Sequence, residues 1–397
     1  MIPFGLRNRI VAGLFCTLAT TVGTGIVVPL AAGAEVRPSA AAPSVLPRTD
    51  RLPAPFNRWN VSLTPSTSQR GALTLSYRSP RLGITAVNSV YLPADYRDRG
   101  APSPVMYYLH GTVFSYLDNP DLVPVTKNES LFNMVGHGGG YIQTLLQDFP
   151  SQVHRAKFLV VAPDTDPDHS WCETCMWING RPGAPQASPL TARTVPAEDV
   201  LLKEVLPLTE ALFNTRTDRN GRGIIGFSMG SVGAEIQGFR HPDLFSYIGG
   251  ISGPFDMVDD PFWSGWLNSN GYFLDQGYGT SVTDTAAWRG FNPKDLAVNW
   301  KGVEGYLLIS AGDTCQPAPT DPQGRADCRR YDPTANPAAA FGESQMRRSA
   351  DESVPYLERI GVIAHQFRAP GIHGANNHRV YADDVVPTAN QQFAHGH

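Results

Sequence analysis

No stretch of this sequence clusters lysine and arginine, none repeats, and beyond residue 34 no uncharged run is both long and apolar enough to span a bilayer. The first absence removes the electrostatic footprint that nucleic acid requires, so nucleic acid is not an expected partner. The second excludes repeat architectures such as solenoids and arrays. The third confines any membrane-length segment to the N-terminus, and no integral membrane partner is implied. Cysteine is scarce, with 5 in 397 residues. Cys16 falls in the N-terminal apolar run, which leaves Cys172, Cys175, Cys315 and Cys328. The C-x-x-C at Cys172 sits in a loop between Trp171 and Trp177 and has no second pair at matching spacing, which favours a structural staple over a zinc or redox site.

The N-terminus reads as an address. Arg7 and Arg9 are followed by uncharged residues from Ile10 to Ala34, ending in Ala32-Gly33-Ala34. This is the pattern of a secretory signal peptide over 1–34 with cleavage after Ala34; an uncleaved anchor is the rival reading, weakened by Gly13, Gly23, Gly25 and Pro29. A secreted or cell-envelope chain is therefore expected, and four remaining cysteines then suggest two disulfides. Local pairing, Cys172–Cys175 and Cys315–Cys328, is preferred among three connectivities. Cleavage removes two arginines and no acid, so the formal net charge of −4 becomes two units more negative.

Residues 35–69 are rich in Ala, Pro and Ser and read as an arm or linker. One folded domain is expected over 70–390, with a tail at 391–397. Leu73–Tyr77 and Val87–Leu92 alternate like antiparallel strands. Val105–Leu109, Phe158–Ala162, Phe245–Ile251 and Gly305–Ala311 are continuous apolar runs, as strands covered on both faces should be. Helical spacing over Pro196–Phe213, Ser231–Arg240 and Phe341–Ile360 alternates with them, which implies a mostly parallel sheet with helices on both faces. Residues 255–300 are dense in aromatics and weak in periodicity. They read either as a cap insertion over the site or as a satellite of the core. The long loop from Asp164 to Val195, with its tryptophans and C-x-x-C, reads as an active-site wall.

The chain is organised around Gly223-Ile224-Ile225-Gly226-Phe227-Ser228-Met229-Gly230. A buried strand here runs into a sharp turn and a helix. Gly226 to Gly230 fits G-x-S-x-G, the nucleophile elbow of α/β-hydrolases, in which glycines let strand and helix pass closely and the serine hydroxyl stands exposed. The N–H of Met229 is one expected oxyanion donor. The loop after Val105–Leu109 supplies the other, assigned to Thr112 with Gly111 as its neighbour; His110 is expected to order that loop. A serine needs a base, and the fold places it after the last strand, where His373 stands between Gly371 and Gly374. For the acid, fold logic favours Asp313, directly after a strand.

Residues 73–386 resemble the esterase family of α/β-hydrolases that includes esterase D and the secreted mycolyltransferases of actinobacteria. The resemblance rests on Tyr108-Leu109-His110-Gly111, the elbow, His241-Pro242-Asp243-Leu244-Phe245, Asn292-Pro293 and Gly371-Ile372-His373. It implies an α/β-hydrolase fold with a mostly parallel central sheet, helices on both faces and a loop-rich cap. In the mycolyltransferase branch the acid is a glutamate near the start of the penultimate helix. Glu343-Ser344-Gln345-Met346-Arg347 is similar to that segment, so the resemblance selects Glu343, with Asp313 as the alternative. The sequence departs from that branch after the histidine, where Gly374-Ala375-Asn376-Asn377 replaces aromatic residues. The implied function is a mycolyltransferase-like serine esterase or acyltransferase acting on lipid or sugar esters, with trehalose or another carbohydrate as acceptor and no metal or organic cofactor. A plain carboxylesterase for small esters and a non-catalytic cell-envelope binding protein are the alternatives.

Overall fold

The computed structural model describes residues 46–66, 72–112, 155–165, 170–182, 194–312, 337–371, 373 and 377–395. Among them runs one nine-stranded sheet in the order β1-β2-β3-β5-β4-β6-β7-β8-β9. The strands are β1 (Ser62–Pro65), β2 (Leu73–Arg78), β3 (Thr85–Tyr91), β4 (Val105–Leu109), β5 (Leu159–Ala162), β6 (Arg222–Phe227), β7 (Tyr247–Ile251), β8 (Tyr306–Gly312) and β9 (His365–Ala369). β1, β2 and β3 pair antiparallel, and β3 joins β5 antiparallel. Every pairing from β5 through β4 and β6 to β9 is parallel. All residues of β4, β5, β6 and β7 are buried, which is why these strands read as unbroken apolar runs rather than alternating ones.

Side chains alternate between two cores. Tyr107, Leu109 and Ile224 point into the larger one, and Met106, Tyr108 and Ile225 into the smaller. The larger core is covered by α1 (Ala197–Val200 and Leu206–Leu212, joined by a π-helical turn Leu201–Val205), α2 (Met229–Arg240) and α7 (Pro337–Ile360). The smaller is covered by α8, which runs Asn377–Val380, through a π-helical turn Tyr381–Val385, to Val386–Ala394. Both π-turns lie just before a proline, Pro207 or Pro387. A proline ring clashes with the carbonyl four residues back, and the wider turn removes that clash without ending the helix.

Two boundaries differ from expectation. Residues 46–66 lie in the stretch read as an arm, yet β1 pairs along its whole length with β2, and Trp59 stacks on Tyr77 at 5.6 Å. Composition suggested a linker, but Leu52 and Trp59 each bury a large apolar side chain that offsets the ordering entropy. The tail is also shorter than expected. Phe393 is buried in the smaller core against Phe158.

The segment 255–300 is built from short helices: α3 (Pro261–Ser269), α4 (Tyr272–Asp275), α5 (Thr285–Arg289) and α6 (Pro293–Leu296). It is continuous with the larger core, because Trp263, Phe273 and Trp288 are buried there. Asp260 caps α3 by accepting from the N–H groups of Phe262 and Trp263, and it pairs with Arg348 of α7 at 2.8 Å. No helix among the described residues is long and apolar enough to cross a membrane.

Candidate active site

The parallel strands end on one edge of the sheet, and the residues leaving β4, β6 and β7 meet the end of β8 there. The elbow joins β6 to α2. Ser228 has φ 55° and ψ −117°, a conformation rarely adopted by a residue with a side chain. It is held by its own N–H donating to the Ile251 carbonyl at 2.9 Å. The flanking glycines are steric requirements. A Cβ on Gly226 would lie 2.0 Å from the Gly230 carbonyl oxygen, and one on Gly230 would lie 2.0 Å from that of Leu109. The strain at the serine is therefore imposed by the close passage of β6, α2 and β4.

His373 reaches the serine from the loop after β9. The Ser228 Oγ lies 3.1 Å from His373 Nε2. On the other side of the ring, Nδ1 donates to Glu343 Oε2 at 2.8 Å. The His373 ring also lies against Phe227, with centroids 4.7 Å apart. Glu343 comes from the second turn of α7 and is fully buried. Its other oxygen accepts from the Ser252 hydroxyl at 2.8 Å and from the Gly312 N–H. Both carboxylate oxygens are thus fixed by donors. Ser252, just after β7, itself takes a positive φ of 52°.

The structure brings Ser228, His373 and Glu343 into one hydrogen-bonded line. Asp313, the alternative acid, lies outside the described residues, as do Cys315, Cys328 and the residues after His373 up to Asn376. Met229 is the first residue of α2, where a main-chain N–H has no acceptor within the helix. Gly111 lies directly against the serine; a Cβ built on it would be 3.1 Å from the Ser228 Cβ. Thr112 follows and is buried.

His110 bridges the Gly111 carbonyl at 2.6 Å and the Asp164 carboxylate at 3.1 Å. Asp164 also accepts from the Ser170 hydroxyl and from the N–H groups of Trp171 and Cys172. This ties the loop after β4 to the C-x-x-C, whose cysteines form a disulfide. The loop expected to form a wall is, over 170–178, interior support. Trp177 is fully buried, donates from Nε1 to the His110 carbonyl at 3.2 Å, and fills the space beside Gly233 of α2. Two contacts have no counterpart in the sequence pattern, although Tyr272 belongs to the aromatic-rich segment 255–300. Ser252 and Tyr272, whose hydroxyl meets Thr112 Oγ1 at 2.7 Å, carry no local signature. Among the described residues, no group of three or more His, Cys, Asp or Glu side chains could hold a metal ion.

A central parallel sheet, a strained serine between strand and helix, and a histidine after the last strand define an α/β-hydrolase. The family model described as Putative esterase matches residues 79–300, more than half of the chain, and the chain belongs to that family. It is similar to Esterase Rv1288 of Mycobacterium tuberculosis, 24% identical over 254 residues that cover 61% of this chain and 46% of that protein. The chain thus spans about half the length of the curated relatives it matches. Among solved structures, an S-formylglutathione hydrolase from Agrobacterium tumefaciens is 15% identical with a TM-score of 0.52, covering 84% of this chain and 99% of that one. At that identity the likeness shows the fold alone.

Proposed function

We propose that the chain is a serine ester hydrolase working through an acyl-enzyme, with Ser228 as nucleophile, His373 as general base and Glu343 as the acid that orients it. The observation that carries the reading is the continuous line Ser228 Oγ, His373 Nε2, His373 Nδ1, Glu343 Oε2, at 3.1 and 2.8 Å. His373 takes the proton from Ser228 as Oγ attacks the ester carbonyl. The N–H groups of Met229 and Thr112 receive the oxyanion, each donor contributing about 3 kcal/mol to the transition state. The tetrahedral adduct collapses as His373 returns the proton to the leaving alkoxide. A water or a sugar hydroxyl then attacks the acyl-enzyme, losing its proton to His373, and the second adduct collapses as His373 returns that proton to the departing Ser228 Oγ.

The proposed substrates are lipid or sugar esters, with trehalose or another carbohydrate as an alternative acceptor to water. Aromatic contacts support an apolar acyl site: Phe341, exposed two residues before Glu343, meets Phe262, and Trp266 meets Tyr272. Export through the N-terminal segment belongs to the same proposal.

Hydrolysis of p-nitrophenyl esters tests the reading, with Ser228→Ala as the control. Loss of turnover in the variant supports it, and equal rates in both proteins refute it. Comparing free fatty acid release with acyl transfer to trehalose then separates hydrolase from transferase.

A further inference from the structure

We infer that Tyr272, a residue of the segment 255–300, is a positioning residue for the oxyanion hole and acts through Thr112. The inference rests on the proposed serine esterase mechanism. Its starting point is a hydrogen bond between two buried hydroxyls, Tyr272 Oη and Thr112 Oγ1, at 2.7 Å and across 160 residues of sequence.

The loop that Thr112 belongs to needs such a hold. The ladder between β4 and β6 ends at Leu109 opposite Gly226, so residues 110–112 lie beyond sheet pairing. Their positions are set instead from two directions. His110 is clamped from below by Asp164 and by the Trp177 indole. Thr112 is held from above by Tyr272. Gly111, between them, touches the nucleophile. A shift of a few tenths of an ångström at residue 112 moves its main-chain N–H away from the oxyanion. Preorganisation of that donor is what makes it effective, since a donor that must reorganise during the reaction gives up part of its stabilisation.

The tyrosine can impose a position because its own helix is anchored. α4 is a single turn. Phe273, next to the tyrosine, stacks on Trp288 at 4.2 Å in the core. Asp275, three residues on, accepts from the Thr174 hydroxyl inside the disulfide loop. The Tyr272 ring packs on Trp266 at 5.3 Å. The same segment that borders the acyl site therefore fixes one donor of the oxyanion hole, so this segment and the loop after β4 form one preorganised unit.

The test is a double-mutant cycle on p-nitrophenyl butyrate, with Tyr272→Phe, Thr112→Val and both together. Tyr272→Phe keeps the ring and deletes only the hydroxyl. The expected result is a fall in kcat of about tenfold with KM within twofold, smaller than the 100-fold or more seen when an oxyanion donor is deleted outright. The affinity of an alkylboronic acid, which presents a tetrahedral hydroxyl to the hole, should weaken by the same factor. Thr112→Val should match Tyr272→Phe, Thr112→Ser should restore near wild-type turnover, and the double variant should be no worse than either single one. Unchanged kcat in Tyr272→Phe, an effect confined to KM, or single losses that multiply in the double variant would each overturn the inference. Should Tyr272→Phe not fold, Thr112→Val against Thr112→Ser decides alone, and equal rates in that pair overturn it. A wild type silent on all esters would remove the mechanism and the inference together, whereas these variant patterns in an active enzyme bear on the inference only.

Discussion

Glu343→Gln is the change that most directly tests the carboxylate in the line. It preserves volume in a fully buried position and alters only charge and donor pattern. Oε1 accepts from Ser252 and from the Gly312 N–H, while Oε2 accepts from His373. In the variant the amide oxygen best satisfies the first two, which turns the NH2 toward His373 Nδ1. Nδ1 must then accept, the ring proton moves to Nε2, and the face toward Ser228 cannot take a proton. The opposite amide orientation restores the active tautomer but points a donor at the buried Gly312 N–H, a mismatch costing about 2 kcal/mol. That leaves roughly one molecule in thirty competent. Those molecules also lack the negative charge that stabilises the imidazolium, worth about 2–3 kcal/mol as a charge-assisted hydrogen bond. Together the effects predict a fall in kcat of about 10³ to 10⁴, close to the roughly 10⁴ measured for the equivalent change in a serine protease triad. KM should move little, and the melting temperature by only a few degrees. Steady-state hydrolysis of p-nitrophenyl butyrate, paired with circular dichroism melting, reads both. Asp313→Asn is the matched comparison, expected to keep kcat within about threefold. If Glu343→Gln kept more than a tenth of wild-type kcat while Asp313→Asn lost it, the acid would be Asp313 and the reasoning from hydrogen bonds would be wrong.

Two further predictions concern stability. Gly230→Ala places a Cβ 2.0 Å from the carbonyl oxygen of Leu109 in a central strand, so backbone must move, and the expected cost is about 3 kcal/mol. Gly265→Ala in α3 meets nothing within 4 Å and should be neutral or stabilise by up to about 1 kcal/mol; urea midpoints that moved together in the two variants would refute the steric account. Burial pushes the Asp384 carboxyl up to about 6, against a weaker lowering by the Tyr306 hydroxyl. The native state therefore holds this proton where the unfolded chain, with a pKa near 3.9, has released it. Stability from this group falls as pH rises between about 4 and 6 and is level above. Asp384→Asn should remove that fall, a difference of about 1 kcal/mol after allowance for solvent screening. Urea midpoints at pH 4.5 and 7.5 that changed equally in variant and wild type would contradict it.

The parts of the fold legible in the sequence are those whose cause is local. β4 and β6 declare themselves because a strand buried on both faces has no polar position to interrupt it. Gly226 and Gly230 declare the elbow because close passage of strand and helix excludes a side chain. His373 is legible as the histidine between glycines after the last strand. For the acid, fold logic alone favours Asp313, which lies outside the described residues. Resemblance selected Glu343, and the hydrogen bonds to His373, Ser252 and Gly312 show why that carboxylate can sit buried and still be satisfied. Residues 46–66 read as part of an arm because Ala, Pro and Ser dominate the composition of 35–69, while Leu52 and Trp59 dominate the burial.

What stayed hidden has a common physical form. Ser252 reaches Glu343 across 91 positions, Tyr272 reaches Thr112 across 160, and Asp164 reaches His110 across 54. Each is a polar side chain that satisfies another polar side chain in the interior, where an unmatched donor or acceptor costs about 1–3 kcal/mol. Such pairs are specified jointly by two distant loops, so neither half carries a signature of its own. They also supply contacts to the loops around Ser228 that lie beyond the sheet ladder. The sheet sets where each strand ends, but sheet pairing stops at Leu109, and the last few ångströms to the reacting atoms are set by side chains from elsewhere. On that argument a substitution that deletes only the Tyr272 hydroxyl should disturb turnover before it disturbs the fold, whereas one at Gly230, where backbone beside Ser228 must move, should disturb both.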